Sequence, residues 1–318
     1  MNYQEIKNKL HGPVFPIVTP FTKTGGLDFD SLKGYLDYLY EGGARNFYVM
    51  AYNSRFGVLT DQEIMTLNRV TTEHIKNKDQ GCVVIIGDPI HCSTDQSIKF
   101  AKEGKEFGAD VISLLYKEKV YFDDQIYQHF QAVAAASDIG LLIHEMKLDN
   151  GIPGKPPLVH WPLEVLDKIS NIPSVVAIKE DAKEDQYTDD VVNLLKDRIS
   201  IITSGNGKKQ WLQFAKKGCH GWLTGTASFD PRIAIKFYEH YNNGNLDKCQ
   251  EIINKIEIPF DNVKNKYGWH LGIKSAMEAV GVMKRDERMP LIKLPESDHS
   301  NIVEAMIEIT KDCKTLCY

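Results

Sequence analysis

Short apolar runs of β character recur along this chain at 14–18, 47–51, 83–87, 110–115, 140–144, 174–179, 200–204 and 221–224. The stretches between them, for example 28–41, 61–75, 94–107, 124–136, 161–169 and 189–196, carry helical periodicity instead. Several open on helix-start signals such as Thr60-Asp61-Gln62-Glu63 and Ser93-Thr94-Asp95. Gly42-Gly43-Ala44, Gly108-Ala109 and Gly218-Cys219 each close a helix just before the next run. Apolar strands that alternate with helices belong in a parallel sheet covered by those helices. Eight such strands with seven intervening helices, in about 210 residues, predict an α/β fold of the (β/α)8 TIM-barrel type. A doubly wound sheet is the alternative, but no glycine-rich fingerprint follows the first strand. Beyond Pro231 the pattern is helical only, at 230–241, 246–256, 269–280 and 300–310, the first of these serving as the eighth barrel helix. The expected organisation is a barrel domain over residues 1–242 that carries the chemistry, then a C-terminal helical extension over 243–318.

Charge and cysteine usage narrow the partners. The net charge is −5, and Lys208-Lys209 and Lys216-Lys217 are isolated pairs rather than a basic stripe, so nucleic acid is not an expected partner. The first residues have no apolar signal core, and no apolar run is long enough to span a bilayer, so a cytoplasmic protein without a membrane partner is expected. Six scattered cysteines without a CxxC pair suit reduced thiols better than a disulfide frame or a zinc site.

The run at 174–179 ends on Lys179, within Ser174-Val175-Val176-Ala177-Ile178-Lys179-Glu180-Asp181. Strand alternation puts Val175, Ala177 and Lys179 on one face, with small Ala177 leaving space beside the amine. An amine at the carboxyl end of a buried parallel strand stands where barrels place their chemistry. Desolvation favours the neutral amine, which attacks carbonyl carbon. The plainer alternative is a lysine that snorkels to water beside a solvated Glu180-Asp181 pair.

A collinear set of short motifs decides between the two. Gly12-Pro13-Val14-Phe15-Pro16-Ile17-Val18-Thr19-Pro20-Phe21, Leu59-Thr60-Asp61-Gln62-Glu63, Gly108-Ala109-Asp110, Ile126-Tyr127-Gln128-His129-Phe130 and Ile172-Pro173 through Glu180 come first. Ser204-Gly205-Asn206, Gly221-Trp222-Leu223-Thr224, and Ile273-Lys274-Ser275-Ala276-Met277-Glu278 with Gly281 follow in order. Over nearly its whole length the chain resembles the dihydrodipicolinate synthase / N-acetylneuraminate lyase family of class I aldolases. The resemblance implies that Lys179 forms a Schiff base with pyruvate or a related 2-oxo acid. The protonated imine is an electron sink, so a proton or carbon group can leave the adjacent carbon. It also implies that no metal or organic cofactor takes part and that the chain is a homo-oligomer, a tetramer or dimer.

The departures from the family pattern are as informative. Where the family carries a G-T-T-G-E type turn that binds the substrate carboxylate, this chain reads Ala51-Tyr52-Asn53-Ser54-Arg55. Tyr52, Asn53, Ser54 and Arg55 are the corresponding candidates for substrate binding, with Arg55 able to fork a carboxylate or else pointing to solvent. The family's proton-relaying tyrosine at the end of strand five is replaced by His144, the second catalytic candidate. The family's arginine that follows is displaced by an insertion at 146–157, where Lys155 is a loose echo. Tyr116-Lys117-Glu118-Lys119 stands in place of a turn whose tyrosine crosses to a neighbouring subunit, and Tyr116 is expected to pack. Gly205-Asn206-Gly207 is either an anion cradle at a helix start, with Gly205 touching substrate, or a plain turn.

These changes point away from dihydrodipicolinate synthase itself and from sialic acid cleavage, towards a divergent lyase, aldolase or dehydratase in type. A barrel that only binds a small carboxylic acid is the alternative. A retained buried amine argues against it, because an idle one is costly to keep. A metal-dependent aldolase is less consistent, since the histidines fall on different elements without ligand spacing.

Overall fold

The computed structural model describes residues 1–205 and 207–318. Eight parallel strands close into a barrel: β1 Gly12–Pro16, β2 Asn46–Tyr48, β3 Val83–Gly87, β4 Val111–Leu114, β5 Gly140–Glu145, β6 Val175–Glu180, β7 Ser200–Thr203 and β8 Gly221–Leu223. Each strand is hydrogen-bonded to its sequence neighbours, and β8 closes on β1. Alternation sorts the side chains into two layers. Val14, Tyr48, Ile85, Val111, Leu142 and Ile202 fill the barrel interior. Phe15, Phe47, Val84, Ile112, Ile143 and Trp222 face the surrounding helices. Residues buried on both faces explain why the strands read as unbroken apolar runs rather than as alternating ones.

One departure from simple alternation matters for the site. Pairing between β5 and β6 slips at its start: Leu141 faces Val175, but Leu142 faces Ala177. Val176 is the extra residue of this bulge. Val175 therefore joins the outer layer, while Val176 and Ala177 both pack inside. The expected common face of Val175, Ala177 and Lys179 is thus corrected to Ala177 and Lys179 alone. Beyond the bulge the register is regular, and it sets His144 opposite Lys179 and Glu145 opposite Glu180.

Short helix Tyr3–Lys9, which shows no clear period in the sequence, plugs the bottom of the barrel with Ile6 and Leu10. Asn46 and Ser200, at the starts of β2 and β7, bond to the Lys9 and Lys7 carbonyls and hold it there. The insertion after β5 forms a small antiparallel hairpin, Leu148–Asp149 with Leu158–Val159, and Lys155 is exposed within it. The expected helix at 161–169 begins at Leu163, because Trp161 is buried against the barrel and donates its indole N–H to the Met146 carbonyl.

In the C-terminal extension, the helical stretch expected at 246–256 is present and runs on to Lys264. Helix Leu246–Ile252 passes through a π-helical turn, Ile253–Glu257, into helix Ile258–Lys264. Helices Trp269–Ala279 and Glu296–Cys317 follow. Among the described residues no helix is long and apolar enough to cross a membrane.

Candidate active site

The cavity lies at the carboxyl ends of the strands and encloses about 440 Å³. Its walls come from both parts of the chain. Met50, Tyr52 and Asn53 follow β2, and Lys179, Asp181 and Lys183 follow or end β6. Glu257, Lys264, Trp269 and His270 belong to the extension. The extension is therefore part of the site and not a remote appendage.

Lys179 is 1% exposed, yet its amine reaches the cavity floor. Its Nζ lies 3.0 Å from His144 Nε2 and 2.9 Å from Asp181 Oδ2. The cross-strand pairing of β5 and β6 produces the first contact, and the sharp exit from β6 produces the second. Burial, reinforced by the charges of Lys179 and Lys117, holds the His144 imidazole well below its ordinary pKa. The ring is accordingly neutral at neutral pH. Its Nε2 then accepts from the Lys179 ammonium, which leaves the proton on Nδ1. That Nδ1–H points at Tyr48 Oη, 3.3 Å away, and Tyr48 in turn lies 2.5 Å from Ser113 Oγ. The result is a buried line from amine to imidazole to phenol to hydroxyl.

His144 does not itself line the cavity; it touches the amine from beneath. Glu145 and Glu180 point to the opposite side, as alternation requires. Glu145 Oε2 accepts the Asp181 backbone N–H at 3.1 Å, so it fixes the turn that carries the Asp181 carboxylate to the amine. Burial, then the charge of Glu180, pushes Glu145 up to about 8. Glu180 accepts from the Ala182 N–H and the Thr188 hydroxyl.

The altered turn after β2 divides into two kinds of residue. Tyr52 and Asn53 line the cavity, and among the described residues neither side chain has a hydrogen-bond partner, so both are available to a ligand. Ser54 and Arg55 are placed elsewhere. Ser54 is fully buried and its hydroxyl donates to the Ile17 carbonyl at 2.7 Å. Arg55 adopts the left-handed backbone at φ 62° and turns its guanidinium onto Glu287, at 2.7 and 3.2 Å. Both expectations for Arg55, a carboxylate fork in the cavity or a side chain in solvent, are corrected by this ion pair. A partner so far along the chain cannot be read from the turn's own residues.

Gly205 lines the cavity, but its N–H is taken by Gln210 Oε1 at 2.9 Å. Asn206, the middle of the turn read as an anion cradle, lies outside the described residues. The helix start that follows is occupied from within the protein, where Glu257 Oε1 accepts the Lys208 N–H at 3.1 Å. Tyr116 packs on His129 and accepts from Gln125, away from the cavity walls.

Sequence reasoning missed Asp181 as a partner of the amine, since Glu180-Asp181 reads as a solvated pair. It also missed Lys183, which sits in the left-handed region at φ 61°, with its Nζ 3.8 Å from Asp181 Oδ1. Tyr48 and Ser113 could have been found by extending strand parity from His144 to β2 and β4. Lys264, paired to Asp261 and lying 4.0 Å from the Trp269 ring centroid, could not.

Comparison with known proteins agrees with this architecture. The Dihydrodipicolinate synthetase family model matches residues 9–309. The 4-hydroxy-tetrahydrodipicolinate synthase of Psychrobacter arcticus is 23% identical over 314 residues, covering 96% of this chain and 97% of its own. That of Bacillus subtilis is 24% identical over 296 residues, covering 92% and 97%. The solved structure of dihydrodipicolinate synthase from Bacteroides thetaiotaomicron superposes with a TM-score of 0.83 at 18% identity, over 94% of this chain and 98% of that one. With the match running through the barrel, the strand that ends on Lys179 and the extension alike, the chain belongs to the dihydrodipicolinate synthetase family and is a divergent lyase of that family.

Proposed function

We propose that Lys179 forms a Schiff base with the keto carbon of pyruvate or a related 2-oxo acid, and that the lyase reaction proceeds at the carbon next to the imine. The observation that carries this reading is the pairing of the Lys179 amine with a neutral His144, 3.0 Å apart at the floor of the cavity. A lysine attacks a carbonyl only as the free amine, so the ammonium must first lose a proton. The His144 Nε2 lone pair is aligned to accept it. The amine then adds to the keto carbon, and the carbinolamine hydroxyl takes a proton from the imidazolium and leaves as water. The iminium that remains accepts the electron pair released when a C3–H or C3–carbon bond breaks. Asp181, at 2.9 Å, stabilises positive charge on the nitrogen before and after the addition.

The free Tyr52 hydroxyl and Asn53 amide support substrate binding from the opposite wall. A homo-oligomer, tetramer or dimer, is part of the proposal, and the mass of the protein in solution tests it. The central experiment is borohydride reduction in the presence of pyruvate, followed by peptide mass analysis. A reduced adduct on the peptide carrying Lys179 is expected. Folded protein that gives no adduct with pyruvate or with larger 2-oxo acids would instead favour a barrel that only binds its acid.

A further inference from the structure

We infer that Lys183 is the counter-cation for the carboxylate of the 2-oxo acid, a role left open by the rebuilt turn after β2. This inference rests on the Schiff-base reading above. Three observations lead to it.

The first is charge. Around the cavity, Glu257 faces Lys208 at 3.7 Å and Asp261 is paired with Lys264. Asp181 is shared by two amines, Lys179 on Oδ2 and Lys183 on Oδ1. Glu184, next in sequence, does not offset Lys183, because Lys147 and His160 hold it at 2.7 and 3.0 Å. The group of Lys179, Lys183 and Asp181 therefore holds two basic side chains for one carboxylate. A single substrate carboxylate supplies the missing acidic partner, both beside the amine and beside the iminium.

The second is placement. One carboxylate bridges the reactive amine and the second amine, so a group bonded directly to the keto carbon falls within reach of Lys183. The 3.8 Å separation from Asp181 is longer than a hydrogen bond, and the Lys183 side chain is 63% exposed. Its ammonium is thus free to engage a ligand.

The third is exclusion of the other cations. Arg55 is held by Glu287, and the Lys264 side chain is 3% exposed against Asp261 and Trp269. Lys183 lines the cavity just beyond β6 with a left-handed φ of 61°, which is uncommon for a residue with a Cβ.

The test compares borohydride trapping on Lys179 with pyruvate and with methyl pyruvate, which keeps the keto carbon but lacks the charge. Wild-type protein is expected to half-saturate at a lower concentration of the acid than of the ester, by about tenfold or more. Lys183→Gly tolerates the left-handed backbone and removes the amine, so the preference should fall to near one. Lys183→Arg keeps the charge and should retain most of the preference. An unchanged preference in Lys183→Gly, with trapping intact, overturns the assignment and leaves the Schiff base standing. Absence of any adduct with either compound overturns both.

Discussion

Arg55 and Glu287, separated by 232 positions in sequence, form a forked ion pair with both side chains buried. Glu287 also lies 3.5 Å from Lys274, whose ammonium donates to the Thr19 and Asp286 carbonyls. The next residue, Arg288, donates to the Gly25 and Val58 carbonyls and pairs with Glu63 at 2.8 Å. A short segment of the extension thereby ties down the loops after β1 and β2, and with them the wall that carries Tyr52 and Asn53.

Arg55→Met is expected to lower global stability by about 3 kcal/mol, because it leaves Glu287 with a weaker share of cations in a dry site. Denaturant unfolding at neutral pH measures this. A loss below about 1 kcal/mol would mean that Lys274 alone satisfies Glu287.

Asp88 is buried just beyond β3, where it accepts from the Ser97 hydroxyl at 2.7 Å. Burial outweighs that bond and raises its pKa from 3.8 to about 7. The folded state therefore holds this proton more tightly than the unfolded chain does. Its contribution to stability is full below about 3.8 and declines as pH rises towards 7, by about 1.4 kcal/mol per pH unit at most. Asp88→Asn imitates the neutral acid and should flatten that part of the profile. Unfolding midpoints at pH 5 and pH 8, compared between variant and wild type, give the answer. Equal pH slopes in the two proteins would show that Asp88 is ionised throughout.

The eight barrel strands were legible because burial on both faces leaves a mark that needs no knowledge of partners. Lys179 stood out as a charge ending such a run, but the run alone also suited a snorkelling lysine, and the collinear motifs were needed to favour amine chemistry. What escaped depends on pairing or on distance along the chain. The bulge at Val176 exists only in the register between β5 and β6, so it cannot be seen in either strand alone. Asp181 reads as solvated until the Glu145 carboxylate holds its backbone N–H and turns its side chain onto the amine. Arg55 carries no hint of Glu287, and the cavity wall at Glu257 to His270 comes from helices whose periodicity is otherwise ordinary. Counting placed His144 at the end of β5, but its pairing with Lys179 and its depth beneath the amine depend on register and were not foreseeable.

Tyr48→Phe removes the hydroxyl that joins His144 Nδ1 to Ser113 Oγ. Two buried polar groups then lose their shared partner, at a cost of about 1–3 kcal/mol of stability. Borohydride trapping should reach the same extent as in wild type, because the amine contact is untouched. Exchange of the substrate's C3 protons with deuterated solvent should slow, since the Nδ1–H loses its acceptor and the imidazole is no longer held from both sides. Exchange at the wild-type rate would show that the Lys179 contact alone holds the ring in place.

His144→Phe probes the proposed relay most directly. The ring volume is kept, both nitrogens are lost, and the Lys179 ammonium retains only Asp181. Trapping with pyruvate should approach the wild-type extent but more slowly, because the amine must deprotonate without its neighbouring base. Proton exchange at C3 should fall by about 10²-fold or more, the usual contribution of a positioned acid–base group. The structure sharpens the expectation in one respect. His144 contacts the nitrogen from beneath and does not line the cavity, so under this proposal both the amine proton and the C3 proton would have to pass through a ring that lies under the amine. If C3 exchange continues at the wild-type rate in the variant, the relay stands on the cavity wall instead. Tyr52 is then the candidate, because it lines the cavity and its ring centroid is 6.3 Å from that of His144. Tyr52→Phe would in that case abolish the exchange that His144→Phe had spared.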